Sequence, residues 1–183
     1  VSKEEVAKNP SRFDLYISLA CPWASRALIF WKLKGLESVM DVHIVDPYMG
    51  VDGWHFSEPE PNIGASFLRD LYFCTPDYEG RVTVPVLWDK QEGCIRNNES
   101  ADIIAMMNHV WDDYAKYPDL DLIPEAHKKE IAGLNEWIFE HINNGVYRTG
   151  FAQDQSVYES ECRGLFQALD ELELRLQLSL IHI

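Results

Sequence analysis

One cysteine stands where a thiol gains reactivity. Cys21, in Cys21-Pro22-Trp23-Ala24, follows the largely apolar run Phe13 to Leu19 and precedes a helical pattern. At a strand-to-helix junction a thiol meets the positive end of the helix dipole and unpaired backbone N–H groups, which favour the nucleophilic thiolate. Pro22 suits the first helical turn, where its missing N–H costs nothing. Ala24 occupies the place of the second cysteine in a C-x-x-C pair, so no local thiol resolves a disulfide formed at Cys21. An outside thiol, most simply a small one, must do so.

Two further segments have residue types suited to the same task. Val84-Pro85 lies inside a β-rich run, where a proline belongs to an edge, a bulge or a cis turn. In the cis form the backbone N–H and C=O of Val84 face an extended peptide. Glu99-Ser100 opens a helical pattern; the pair serves as a simple cap or receives a ligand carboxylate through N–H and hydroxyl groups. Glu99 also accepts from a ligand ammonium. If the three segments converge, they hold a γ-glutamyl-cysteinyl peptide with its sulfur at Cys21.

The elements that must position these groups follow from periodicity. A strand is expected over 12–19, a helix over 22–34 stopped by Lys34-Gly35, and a strand over 39–45. A long Pro-, Gly- and Asp-rich loop then covers 46–62 and a short helix 66–73. Strands at 82–88 and 94–96 form a hairpin, and a helix runs from Asn97-Asn98-Glu99-Ser100 to Trp111. The order β-α-β-α-β-β-α is a thioredoxin-like topology. Residues 1–112 therefore read as an α/β domain, 113–124 as a polar linker, and 125–183 as an all-α part with helices over 126–142 and 154–178. Two helices cannot close a bundle core, so this second domain reads as incomplete, and Leu178 to Ile183 is an unusual apolar ending.

Composition sets the outer limits. The chain has 183 residues, 46% of them apolar, with six Trp, eight Tyr and eight Phe, which suits a folded core. A net charge of −14 without a basic block argues against nucleic-acid or anionic-membrane binding. No run reaches the ~20 apolar residues of a membrane span, and no signal-peptide core is visible. Cys74, Cys94 and Cys162 are expected to be structural. The spacing of the four cysteines fits neither a metal site nor a disulfide scaffold, so a reducing compartment is expected. The six histidines lack ligand spacing. The chain opens on Val1, as a fragment or processed form would.

Four stretches together resemble the glutathionyl-hydroquinone reductases, the Xi-class or omega-like glutathione transferases. They are Leu19 to Ala24, Gly80 to Lys90, Asn97 to Ser100 and Asn143 to Tyr147, and the likeness runs from about Arg12 to Leu176. The resemblance implies that the all-α part is of the glutathione-transferase type and that glutathione is the co-substrate. Cys21 would take glutathione from a glutathionyl-hydroquinone as a mixed disulfide, and a second glutathione would resolve it. Trp54 matches the family's glutathione-covering tryptophan, although a tryptophan there also anchors a loop. Arg81, Val82, Thr83, Val84, Pro85, Glu99 and Ser100 match its glutathione-binding segments. Tyr147 matches the proton donor to the departing ring, with a packing role as the alternative. Ser25 departs from the family's frequent histidine, and relatives carry further helices after the position of Leu178, together with a homodimer surface. A cytoplasmic setting is implied, or an organellar one if a targeting segment precedes Val1. Competing readings are glutathione conjugation, a general thiol transferase or dehydroascorbate reductase, and a non-catalytic binding or assembly module.

Overall fold

The computed structural model describes residues 1–179 and divides the chain into two compact units that meet between Leu122 and Ile123. In the first, helix α1 (Lys3–Lys8) precedes β1 (Phe13–Ser18), α2 (Pro22–Lys34) and β2 (Val42–Val45). Then come α3 (Leu68–Phe73), β3 (Val86–Asp89), β4 (Cys94–Asn97) and α4 (Ser100–His109). The sheet order is β2-β1-β3-β4, with β1 parallel to β2 and antiparallel to β3, and β3 antiparallel to β4. This is the thioredoxin-like fold expected from the element order.

Strand β1 is buried along its whole length because both faces are covered. Side chains alternate across a strand. Phe13, Leu15 and Ile17 share one face, where the Phe13 ring meets Trp111 edge-on at 5.8 Å. Asp14, Tyr16 and Ser18 share the other, where Tyr16 packs on His43 and, from the long loop after β2, on Phe56. That loop reaches this face because its polar groups are paired. Glu60, 3% exposed, accepts from the Tyr16 hydroxyl at 2.6 Å and from the N–H groups of Asn62, Ile63 and Ala65. The Asn62 amide donates to Asp14 and Tyr16.

Several boundaries differ from the expected ones. Helix α1 was not anticipated; its capping box, in which Ser2 and Glu5 exchange backbone and side-chain bonds, is nonetheless a sequence-level signature. The second strand begins at Val42 rather than 39, because the N–H groups of Val39 and Met40 turn back to Leu36 O. Strand β3 begins only after the Val84–Pro85 peptide, which is cis. Helix α4 ends two residues before Trp111.

Residues beyond α4 stay on the first unit as far as Leu122. Lys34 at the end of α2 is fully buried, and its ammonium donates to Asp112 at 2.7 Å and to Leu120 O at 2.8 Å. Gly35 caps α2 with φ of 66°, and a Cβ there would sit 2.5 Å from that of Lys116. Glycine is required both for the left-handed turn and for the approach.

The second unit is helical. Helix α5 (Lys128–Ile138) passes through a π turn over Phe139–Asn143 into α6 (Asn144–Gly150), and α7 spans Gln155–Ser179. Sequence reading ends the first of these at 142. Instead the helix continues through Gly145, which is buried and where a Cβ would make ordinary contact with Leu165 Cδ1 on α7 at 3.5 Å. Residues 180–183 of the apolar ending lie outside the described residues.

Candidate active site

Cys21 is the N-cap of α2, with extended backbone and Pro22 in the first turn. Its N–H is taken by Ser18 O at 3.1 Å, which closes the turn out of β1. Its own carbonyl accepts from the Ser25 N–H and hydroxyl, so Ser25 ties down the cap. The residue is partly exposed, and its sulfur lies 3.6 Å from Val84 O, to which the thiol donates. Two of the sequence-predicted segments are thus in direct contact across 63 positions of chain.

The segment before Pro85 pairs with no strand, so its backbone needs other partners. Tyr72 of α3 supplies them. Its hydroxyl donates to Thr83 O at 2.7 Å and accepts from the Thr83 N–H at 3.2 Å. Asn98 Nδ2 donates to the Tyr78 and Tyr72 hydroxyls at 2.9 and 3.3 Å and to Thr83 Oγ1 at 3.3 Å. Tyr78 donates to Arg81 O at 2.8 Å. Burial raises the Tyr72 phenol above its ordinary pKa, against the hydrogen bonds it receives, so it stays protonated as donor. Arg81 is exposed, Val82 and Thr83 are partly buried, and Val84 and Pro85 are buried.

At α4, Glu99 is the N-cap and its carboxylate accepts from the Ala101 N–H at 3.3 Å. Ser100 is 2% exposed. Sequence reading missed its partner. Arg26, five residues after Cys21 on α2, donates to Ser100 Oγ from Nε at 3.0 Å and from Nη2 at 2.7 Å, and its Nη2 lies 3.7 Å from Glu99 Oε1. The guanidinium sits 5.0 Å over the Trp23 ring. Burial lowers the Arg26 pKa from its ordinary value, and Glu99 acts in the opposite sense. Helix α2 therefore presents Cys21 at its mouth and, one and a half turns on, grips the start of α4.

Trp54 is half-buried against the core, and its carbonyl accepts from the Leu68 N–H at 3.0 Å where the loop enters α3. Tyr147 lies on α6 in the second unit, 40% exposed, with its ring stacked on Phe151 at 6.1 Å. Cys74, expected to be structural, is exposed at the end of α3, while burial raises the pKa of Cys94. Among the described residues no group of three or more His, Cys, Asp or Glu is placed to hold a metal. Among them, too, no helix is long and apolar enough to cross a membrane.

The thioredoxin-like unit, with a cysteine at the start of α2 and a cis-proline edge beside it, is of the glutathione transferase N-terminal type. The family model of that description, "Glutathione S-transferase, N-terminal domain", matches residues 20–110. The curated proteins and solved structures that the chain resembles are Xi-class and omega-like glutathione transferases and glutathionyl-hydroquinone reductases. The chain is 46% identical over 171 residues to "Glutathione S-transferase omega-like 2" of Schizosaccharomyces pombe, covering 88% of this chain and 55% of that one. It is 45% identical over 169 residues to glutathionyl-hydroquinone reductase YqjG of Escherichia coli, covering 88% and 51%. Among solved structures, the Xi transferase of Phanerochaete chrysosporium superposes with a TM-score of 0.86 at 45% identity, over 90% of this chain and 59% of that one. The glutathione-bound structure of YqjG gives 0.85 at 45% identity, over 91% and 56%. The chain spans about half the length of the curated relatives it matches.

Proposed function

We propose that this chain carries the catalytic thiol of a glutathione-dependent reduction of glutathionyl-hydroquinones. Residues 1–112 form the glutathione-binding domain, the polar stretch 113–124 leads out of it while packed on the first unit as far as Leu122, and the helices of the second domain follow. Glutathione lies extended along Arg81 to Pro85, under Trp54, with its γ-glutamyl end at Glu99 and Ser100 and its sulfur at Cys21. Cys21, as its thiolate, attacks the glutathione sulfur of the substrate. The sulfur–aryl bond breaks, its electron pair passes to the ring, and the ring carbon takes up a proton. Two sulfurs are thereby oxidised to the Cys21–glutathione disulfide and the arene is reduced. A second glutathione thiolate then attacks the glutathione sulfur, regenerating Cys21 and leaving as oxidised glutathione. Water and a metal have no part in this balance.

The observation that carries the reading is the contact of Cys21 Sγ with Val84 O at 3.6 Å. It puts the nucleophile beside the backbone edge that would hold a cysteinyl peptide. Conjugation fits less well, since a cysteine at this place traps glutathione instead of activating it. The test exposes the full chain to oxidised glutathione for adduct formation, and to glutathionyl-menadione with reduced glutathione for turnover. The wild-type chain gains one glutathione on Cys21 by mass spectrometry and releases menadiol. Cys21→Ser does neither, with turnover down by about three orders of magnitude or more, yet still binds glutathione by calorimetry. Full activity in Cys21→Ser would refute the assignment. Adduct formation without release of menadiol would point to a general thiol transferase.

A further inference from the structure

The Arg26–Ser100 contact has a chemical consequence for ligand choice. A serine hydroxyl has two acceptor sites and one proton to donate. Arg26 directs both Nε–H and Nη2–H at the same oxygen, at 3.0 and 2.7 Å. The acceptor capacity of Ser100 Oγ is then filled, and its proton must point away from the guanidinium. Within the protein Glu99 Oε1 accepts from it at 3.5 Å, a long separation for an O–H···O bond. A carboxylate arriving at the first turn of α4 offers a better acceptor, and helix N-termini favour such anions. Only a forked, planar donor fills both sites from one side chain. The ion pair with Glu99, at 3.7 Å, holds the guanidinium at this end of α4.

We propose that Arg26 is a positioning residue that makes Ser100 a dedicated donor to the α-carboxylate of the γ-glutamyl group, and so sets the preference for glutathione over peptides lacking that carboxylate. The inference rests on the glutathione reading above. It explains why a cation one and a half turns from the thiol sits on a neutral hydroxyl: its effect on the ligand passes through the direction of one O–H bond.

The test measures the rate at which Cys21 in the full chain is thiolated by oxidised glutathione and by the disulfide of 4-aminobutanoyl-cysteinyl-glycine, which lacks only that carboxylate. The wild-type chain prefers oxidised glutathione by about ten- to a hundredfold, the worth of a charge-assisted hydrogen bond. Arg26→Gln loses that preference by slowing the glutathione reaction and leaving the analogue's rate unchanged. Ser100→Ala does the same, and Arg26→Lys, with charge but no fork, falls between. Thermal unfolding checks that each variant folds; if Arg26→Gln does not, Arg26→Lys decides. A variant that slows both disulfides equally, or keeps the wild-type ratio, overturns the inference. So does a wild-type chain that is thiolated without preference. A wild-type chain that gains no adduct on Cys21 overturns the glutathione reading itself.

Discussion

A single phenol holds the backbone next to the candidate thiol. Tyr72 donates to one side of the Thr83 peptide and accepts from the other, so its oxygen replaces the neighbouring strand that this segment lacks. Tyr72→Phe removes both bonds and leaves a half-buried N–H and C=O to find other partners. A loss of about 1–3 kcal/mol in urea-induced unfolding is expected, with glutathione affinity by calorimetry weakened further because Val84 is next in line. Unchanged affinity would show that the segment holds its shape without the clip. Cys21, Val84, Glu99 and Ser100 were legible because each is tied to a local signal, a helix start or a proline in a β-rich run. Arg26, Tyr72 and Asn98 were not, because their roles depend on contacts across 74, 11 and 15 to 26 positions. No local pattern encodes such pairings. The one available hint for Arg26 was its place on the same helix as Cys21.

At the level of elements, the loop between β2 and α3 behaves as a second cover for the sheet, opposite the Trp111 face of β1. Its composition signalled a loop but not its destination. Glu60 decides that, since an acidic residue in a polar stretch is ordinarily solvated, whereas here it is buried with a phenol and three backbone N–H groups on it. Glu60→Ala leaves those donors without their acceptor and should cost about 2–4 kcal/mol. The local readout is hydrogen exchange: amides at Ile63 and Ala65 lose protection well before those of β1 and β3. Uniform loss across the unit would mean that the loop does not open separately. Elsewhere the element order was readable; the π turn after α5 was missed where Gly145 packs on α7, whereas α1 and the turn before β2 rest on local bonds that went unread.

On the scale of the whole molecule, three buried carboxylates tie distant parts of the first unit together. Asp14 takes His43, Asn62 and Lys90; Glu60 takes the loop and Tyr16; Asp89 takes Arg12 Nε and Nη2 at 2.8 and 2.6 Å and Arg96 at 3.1 Å. In each, burial opposes ionisation but the hydrogen bonds outweigh it, and the pKa lies below the ordinary value of 3.8 for the aspartates and 4.5 for the glutamate. A carboxyl more acidic folded than unfolded contributes stability that is present in full above the unfolded pKa. That contribution is lost as pH falls through the folded value. Melting temperature should therefore be insensitive to these groups from pH 7 to about 5 and drop steeply below about pH 4.5. Asp14→Asn should give a shallower acid limb. An acid limb of unchanged steepness would show that Asp14 is not among the groups responsible.

The enclosed ammonium of Lys34 extends this coupling to the exit from the first unit. A protease that cuts after lysine must draw that side chain into its own pocket, which means stripping it from Asp112 and Leu120 and unwinding the glycine turn beside it. The Lys34–Gly35 bond is thus masked by the same contacts that seat the chain leaving α4. Its cleavage would count openings of the entire unit rather than fraying at a helix end.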